Sequence, residues 1–171
     1  MSGTAFPLDF SAITFLIVDD QPFSRRIVRS ILHGFGSREV HEAANGGEAI
    51  KLARAVVPNI IITDLVMPAS SGIKFIRMLK APEVPAGQIP VIVLSGHLTK
   101  TTALTITEAG ADALLVKPVS PKTLYAHVAR IVLRTDRPHA PDSFVKNQRR
   151  HTQLQSKKAG DKKAEDMILV E

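Results

Sequence analysis

Short apolar runs rich in β-branched residues recur along the first 133 residues of the chain and constrain its fold more than any other feature. Three clear runs and two weaker ones occupy residues 13–18, 59–63 and 90–94, and 38–42 and 113–116, respectively. Continuous apolar runs of this length are typical of parallel β-strands that are buried on both faces of a sheet. The sequence therefore predicts five buried strands.

Segments in which apolar residues recur with helical spacing separate the predicted strands. They begin near Pro22, Ala49, Gly72, Lys100 and Pro121. Pro22 suits the first turn of a helix, and Asp20 is the expected N-cap of that helix. Five strands that alternate with five helices predict an α/β fold, a doubly wound five-stranded parallel sheet with helices on both faces.

Five polar residues stand where four of the predicted strands end. They are Asp19, Asp20, Asp64, Ser95 and Lys117. The carboxyl ends of the strands form the ligand crevice of such a sheet, so we expect these side chains to converge. Three carboxylates at one edge repel one another unless a cation lies between them, and oxygen ligands favour a hard ion such as Mg²⁺. The lysine and the hydroxyl would add the charge and the hydrogen bond that a phosphoryl group needs.

Each of these residues taken alone has an ordinary structural explanation. An Asp at a strand end is usually a turn or capping residue, Lys117 alone suggests a surface charge, and Ser95 alone a loop serine. Their joint position at the ends of four strands is far more specific. The sequence contains no G-x-x-x-x-G-K loop, no G-x-G-x-x-G after the first strand, no H-E-x-x-H, no G-x-S-x-G and no cysteine. These absences argue against the chemistries that such motifs carry.

Four stretches of sequence surround the polar residues. They read Leu-Ile-Val-Asp-Asp at 16–20, Ile-Thr-Asp-Leu-Val-Met-Pro at 62–68, Val-Leu-Ser-Gly at 93–96 and Val-Lys-Pro at 116–118. In these stretches and in their spacing the chain resembles the receiver domains of two-component response regulators, over residues 13–133. The resemblance implies a flavodoxin-like fold with strand order 2-1-3-4-5 and a signalling protein that phosphorylation controls.

The resemblance also implies how a phosphoryl group would be bound. Asp64 is the expected phosphoacceptor, whose carboxylate attacks a phosphohistidine or a small acyl phosphate. Lys117 would pair first with Asp64 and then with the phosphoryl oxygens, and Ser95 would hydrogen-bond the phosphoryl group. The peptide bond between Lys117 and Pro118 is expected to be cis, as it is in the family.

A magnesium site follows from the same resemblance. Asp20 and Asp64 would hold Mg²⁺ together with the backbone carbonyl of Val66, and Asp19 would act mainly through water. Phosphoryl transfer needs chiefly positioning and charge neutralisation, which Mg²⁺ and Lys117 can supply. We therefore expect Mg²⁺ as the cofactor.

Three positions bear on switching and on dephosphorylation. Many receivers carry an aromatic residue three positions before the lysine, where this chain has Leu114. This substitution places in doubt the usual coupling of Ser95 to a ring, so a switch would rely on the backbone. Val66, two residues after the phosphoacceptor, cannot orient a water by hydrogen bonding, which predicts a long-lived phosphoryl group. His97 would either counteract this effect or simply be solvated, and we favour the second.

The sequence divides into three parts and indicates a soluble protein. We expect an N-terminal lead at 1–12, a receiver domain at 13–133 and a basic polar tail at 134–171 that is largely disordered. The N-terminus lacks the pattern of a signal peptide, and no apolar run approaches the roughly 18 residues of a membrane span, which predicts a cytoplasmic location. No helix-turn-helix pattern is visible in the tail, so DNA binding is not expected.

The leading hypothesis is a stand-alone response regulator. It would accept a phosphoryl group from a sensor histidine kinase or a phosphotransfer protein and signal through protein–protein contacts with a target that the sequence does not identify. Its only catalysis would be its own phosphorylation and slow dephosphorylation. The alternatives are a constitutive scaffold or adaptor that binds partners through its tail and, less favoured, a nucleic-acid regulator. The apolar run at 167–170 is either a docking peptide or an accidental apolar terminus.

Overall fold

Residues 8–68 and 71–134 are described by the structure, a computed structural model of the chain. Along them strands and helices alternate from β1 to α5. The strands are β1 (Thr14–Val18), β2 (Glu39–Ala43), β3 (Ile60–Asp64), β4 (Val91–Ser95) and β5 (Ala113–Val116). The helices are α1 (Pro22–Gly34), α2 (Gly46–Val56), α3 (Gly72–Leu79), α4 (Lys100–Glu108) and α5 (Pro121–Leu133), with a short 3₁₀ helix at Pro85–Gln88.

The five strands form one parallel sheet in the order β2-β1-β3-β4-β5. This order and the five helices confirm the predicted doubly wound, flavodoxin-like fold. Every residue of β3 and β4 is buried, including the polar residues Thr63, Asp64 and Ser95 at their carboxyl ends, and the apolar residues that begin both strands predict this burial. The order reverses between β1 and β3, and in such sheets ligands bind outside the carboxyl ends of the strands at that point.

Side chains of the central strands pack against helices α2, α3 and α4 in one large core. Leu16 and Val18 of β1 contribute to this core, with Phe75 and Leu79 from α3 and Ile106 from α4. The apolar stripe of each helix predicted this burial, because residues three and four apart lie on the same helix face. The core thus holds rigid the strands that carry the candidate site.

Four of the five helices begin with a side-chain cap, and α1 is the exception. Asn45, Ser71, Thr99 and Ser120 cap α2 to α5.

The prediction that Asp20 caps α1 is wrong. Pro22 occupies the first helical position, so the N-cap is Gln21, which makes no side-chain cap. The carboxylate of Asp19 instead accepts a hydrogen bond from the Gln21 N–H at 2.8 Å. Asp20 is thereby left outside the helix, where its carboxylate accepts only from the Gln21 side chain among the hydrogen bonds found in the described residues.

Strands β2, β3 and β4 begin and end one residue later than the runs predicted at 38–42, 59–63 and 90–94. Asn59 precedes β3 and uses its side-chain oxygen to accept from the Thr14 N–H at 2.8 Å. Pro90 precedes β4 and has no N–H to donate to a ladder. The shift places Asp64 and Ser95 in the last paired positions of their strands.

The segment at residues 8–12, assigned to the N-terminal lead by sequence, packs onto the domain. Phe10 is fully buried, and its ring lies 5.9 Å from that of Phe35 and 5.4 Å from that of Tyr125, centroid to centroid. The Leu8 N–H donates to the Tyr125 hydroxyl at 2.8 Å. This segment therefore bridges the end of α1 and the start of α5.

No helix in the described part of the chain is both long enough and apolar enough to cross a membrane. The predictions made for the tail at 134–171, including its disorder and the apolar run at 167–170, concern residues that lie, except for Arg134, outside the described residues.

Candidate functional site

The three predicted acidic residues meet at the carboxyl edge of the sheet. Asp19 and Asp20 follow β1, and Asp64 ends the neighbouring β3. One carboxylate oxygen from each lies within 4.8 Å of the other two. Oxygen atoms that converge at this spacing can ligate a single divalent cation.

Asp64 is a buried member of the cluster, and the pKa of its carboxyl group is shifted. Only 9% of its surface is exposed. Burial raises the pKa of its carboxyl group, and the negative charge of Asp19 acts in the same direction. The Lys117 ammonium and the Leu65 N–H oppose this rise in pKa without cancelling it. The surroundings of Asp64 thus disfavour the negative charge of its carboxylate, so a proton or an added cation beside it would be stabilising.

The hydrogen bonds of Asp64 are unevenly divided between its two oxygens. Oδ1 accepts from the Leu65 N–H at 2.8 Å and lies 3.3 Å from Lys117 Nζ. In residues 8–68 and 71–134 no protein donor is found for Oδ2. One oxygen is therefore anchored while the other is available to a ligand or a reacting group.

Lys117 links two of the acids. Its Nζ lies 3.0 Å from Asp19 Oδ2 in addition to its contact with Asp64. The residue follows β5, and its backbone N–H donates to the Ser95 carbonyl at 2.7 Å, which fixes the chain as it leaves the sheet. The Lys117–Pro118 peptide bond is cis, as expected.

Ser95 ends β4 and is buried at the same edge, as predicted. Its hydroxyl donates to the His97 carbonyl at 2.6 Å, so it is engaged within its own loop. A Cβ added at Gly96 would meet no atom within 4 Å. The loop that follows β4 therefore leaves open space at Gly96, the residue after Ser95.

Val66 follows Asp64 in the loop between β3 and α3, and 71% of its surface is exposed. The shape of this loop depends on Gly72, whose N–H donates to the Leu65 carbonyl at 2.8 Å. A Cβ at Gly72 would lie only 2.4 Å from the Asp64 carbonyl oxygen. Only glycine allows α3 to begin this close to the residue that ends β3.

Two residues of α1 contact the site but were missed by the sequence analysis. The Ser24 hydroxyl donates to Asp19 Oδ2 at 2.5 Å and lies 3.3 Å from Lys117 Nζ. Arg25 donates to the Asp19 carbonyl at 2.7 Å and pairs with Glu42 of β2 at 3.0 Å. Because α1 starts at Pro22, its third residue, Ser24, faces back towards the end of β1. The position of Pro22 in the sequence was therefore the signal from which this contact could have been predicted.

Leu114 occupies β5 at the position where many receivers have an aromatic residue. It is partly buried and packs against the core that α2, α3 and α4 share. No ring is therefore present at this position to rotate between exposed and buried states.

A model of the response regulator receiver domain matches residues 15–129 of the chain. The chain belongs to this family. The matched segment begins in β1 and ends in α5, so it contains every candidate residue of the site.

Relatives of this receiver domain include longer proteins. The chain is 35% identical over 134 residues to the transcriptional regulatory protein SrrA of Staphylococcus aureus, covering 74% of this chain and 54% of SrrA. It is 33% identical over 122 residues to a probable transcriptional regulator, ycf27, of Porphyridium aerugineum, covering 71% and 49%. The chain thus spans about half the length of the curated relatives that it matches.

Solved structures also resemble this receiver domain. The chemotaxis protein CheY4 of Vibrio cholerae is 29% identical, with a TM-score of 0.65, and the alignment covers 70% of this chain and 98% of that one. The receiver domain of a histidine kinase from Syntrophus aciditrophicus is also 29% identical, with a TM-score of 0.66 and coverage of 75% and 96%.

The donor set of this receiver domain fits a hard divalent cation. Asp20, Asp64 and Asp19 supply carboxylate oxygens, and no sulfur or histidine belongs to the cluster. Burial and mutual repulsion favour an added positive charge beside Asp64. This chemistry suits Mg²⁺, which takes a few carboxylate oxygens and retains waters.

Proposed function

We propose that this receiver domain accepts a phosphoryl group on Asp64 and that Mg²⁺ is required for the reaction. The observation that supports this most strongly is the division of hydrogen bonds on the Asp64 carboxylate. Oδ1 is held by Leu65 and faces Lys117, whereas Oδ2 has no protein donor in the described residues. A carboxylate held by one oxygen is positioned to react through the other.

The proposed reaction exchanges one bond to phosphorus for another. Asp64 Oδ2 attacks the phosphorus of a phosphohistidine or an acyl phosphate. The bond from phosphorus to the donor nitrogen or oxygen breaks, and the histidine or the carboxylate leaves with the bonding electrons. Lys117 takes no part in the bond exchange and would pair with the negative oxygens.

Mg²⁺ would be held by Asp20, Asp64 and the backbone carbonyl of Val66, with Asp19 acting through water, and would neutralise phosphoryl oxygens. Lys117 would add a second positive charge beside Asp64. Ser95 would exchange its hydrogen bond with the His97 carbonyl for one with the phosphoryl group. Beyond its own phosphorylation and slow dephosphorylation, we propose no catalytic activity.

The partners that we propose follow from this chemistry and from membership of the family. A sensor histidine kinase, or a phosphotransfer protein, would supply the phosphoryl group in the cytoplasm. The phosphorylated domain would then signal through protein–protein contacts. Two predictions depend on residues outside the described part of the chain. They are that the protein is a single-domain regulator and that it does not bind DNA, and both stay predictions.

Intact-protein mass after incubation with acetyl phosphate tests the proposal. The wild-type chain should gain one phosphoryl group in the presence of Mg²⁺ and none when EDTA is present during the reaction. Asp64→Asn should gain none, whereas Glu108→Gln, which alters an exposed carboxylate on α4, should behave as the wild type does. A phosphoryl group that appears on Asp64→Asn would refute the assignment of the phosphoacceptor.

The scaffold alternative is tested with the same variant. If Asp64→Asn matches the wild type in every partner-binding assay, with and without acetyl phosphate, phosphorylation does not control binding. Loss of the phosphorylation-dependent part of binding would support the regulator.

A further inference from the structure

Ser24 contacts two residues of the site although it belongs to neither the acidic cluster nor the strand ends. It is the third residue of α1, and its hydroxyl points back to the carboxyl end of β1. There it donates to Asp19 Oδ2 and lies within hydrogen-bond distance of Lys117 Nζ, at 3.3 Å. The hydroxyl can donate to one and accept from the other at the same time.

Asp19 is held from several sides. Its Oδ1 accepts from the Gln21 N–H, and its Oδ2 accepts from both Ser24 and Lys117. Its backbone carbonyl accepts from Arg25. The side chain is almost wholly buried, with 3% exposed, so any donor that leaves Oδ2 is not simply replaced by bulk water.

The Lys117 ammonium contacts two acidic residues at once. Its Nζ lies 3.0 Å from Asp19 Oδ2 and 3.3 Å from Asp64 Oδ1. A phosphoryl group on Asp64 would bring further negative oxygens and draw the ammonium away from Asp19. Such a movement would remove a charged donor from a buried carboxylate oxygen. The loss of this hydrogen bond costs free energy and therefore opposes the movement of Lys117.

We propose that Ser24 is a positioning residue that keeps Asp19 Oδ2 hydrogen-bonded while Lys117 turns to the phosphoryl oxygens. This inference rests on the proposed function of Asp64. Because the Ser24 hydroxyl is a neutral donor, it satisfies Asp19 without competing for the negative charge on Asp64. It also occupies a lone pair of Asp19 Oδ2 that would otherwise be available to Mg²⁺.

Ser24→Ala should therefore change two quantities in opposite directions. The rate of phosphorylation by acetyl phosphate at saturating Mg²⁺ should fall about tenfold, the scale of one hydrogen bond to a charged group, because Lys117 stays on Asp19. The affinity for Mg²⁺ without a phosphodonor, measured by isothermal titration calorimetry, should rise roughly threefold or more, because Asp19 gains a free lone pair. A role in folding alone would lower both.

Two variants serve as controls on the full-length chain. Ser24→Thr keeps the hydroxyl and should restore both quantities towards their wild-type values. Ser30→Ala removes a hydroxyl from the same helix, where it donates to the Arg26 carbonyl on the exposed side, and should change neither. Thermal unfolding of each variant checks that the fold is retained.

The outcomes separate this inference from the proposal on which it rests. A wild-type rate with Ser24→Ala, or a parallel fall in rate and Mg²⁺ affinity, overturns the role of Ser24 while Asp64 remains the phosphoacceptor. No phosphorylation of the wild type overturns the proposed function and the inference with it. A slower reaction combined with tighter Mg²⁺ binding supports the role of Ser24.

Discussion

At the scale of single residues, the charge on Asp64 opposes the stability of the domain when no cation is present. Burial raises the pKa of its carboxyl group above the value in the unfolded chain, and Asp19 adds repulsion. The folded state thus holds the proton more tightly than the unfolded state. Stability then falls as the pH rises from the unfolded pKa through the folded pKa, and the cost persists above the folded pKa.

Asp64→Asn should raise the free energy of unfolding at pH 7 in EDTA, because the amide carries no charge. The gain should shrink as the pH is lowered through the raised pKa, where the wild-type carboxyl is protonated as well. Urea unfolding of both proteins at several pH values measures this difference. A variant less stable than the wild type at neutral pH would contradict the account, and Glu108→Gln, at an exposed carboxylate, should show little change.

The Val66 side chain determines the predicted lifetime of the phosphoryl group. It is exposed beside Asp64 and has no group that can position an attacking water. Val66→Asn supplies such a group and should shorten the lifetime of phosphorylated protein by about tenfold or more. The decay is followed by intact-protein mass after removal of acetyl phosphate.

Val57→Asn is the matched control for this lifetime. Val57 is exposed at the end of α2, and its φ of 49° suits asparagine, so the lifetime should not change. If the wild-type protein itself loses its phosphoryl group within seconds, the long lifetime predicted from Val66 is wrong.

At the scale of elements, the loop from β3 to α3 depends on the absence of one side chain. Because a Cβ at Gly72 would lie 2.4 Å from the Asp64 carbonyl oxygen, α3 can begin there only with glycine. The loop contains Val66, whose carbonyl is the proposed ligand of Mg²⁺. Close packing of a helix against a strand end thus sets the geometry of the site.

Gly72→Ala should lower the free energy of unfolding by about 1–3 kcal/mol, the usual cost of overpacking, and should weaken Mg²⁺ binding because the loop must move. Gly34→Ala is the control, since a Cβ at Gly34 would meet no atom within 4 Å. Urea unfolding and calorimetric titration with Mg²⁺ measure the two effects. Equal stability of the two variants would show that the loop adapts without cost.

The segment at residues 8–12 acts as an additional structural element at the junction of α1 and α5. Phe10→Ala should lower the free energy of unfolding by about 3–5 kcal/mol, because the ring is fully buried between Phe35 and Tyr125. Phe23→Ala removes the same ring from α1, where 72% of the residue is exposed, and should change stability by less than about 0.5 kcal/mol. A small effect of Phe10→Ala in urea unfolding would mean that this segment is not required.

At the scale of the whole molecule, the sequence predicted the elements and the sheet because apolar periodicity and strand order are properties of the entire chain. The bounds of α5 are as predicted, and β2, β3 and β4 differ by one residue. The sheet is parallel, so the carboxyl ends of all its strands lie at one edge. The convergence of the acidic residues with Lys117 and Ser95 was predictable for this reason.

Contacts that depend on the direction of one side chain were not predictable in the same way. The candidate residues were selected because they stand at the ends of predicted strands, and Ser24 lies in a helix instead. Its proposed role depends on the direction of its hydroxyl, which points back to Asp19. The burial of Phe10 depends on the rings of Phe35, directly after α1, and Tyr125, in α5, which are distant from it in sequence. The cap of α1 was assigned wrongly because the carboxylate of Asp19, rather than that of Asp20, accepts the local N–H.

The proposed binding of Mg²⁺ would link the acidic cluster to the stability of the whole domain. The folded chain brings together three carboxylates that the unfolded chain separates, so we expect Mg²⁺ to bind the folded state preferentially. Above the dissociation constant, each tenfold rise in free Mg²⁺ should raise the free energy of unfolding by about 1.4 kcal/mol. Asp64→Asn lacks one ligand and should respond much less. Thermal unfolding across a Mg²⁺ series, compared with NaCl of equal ionic strength, measures the effect, and an identical response to both salts would mean that Mg²⁺ acts only by screening charge.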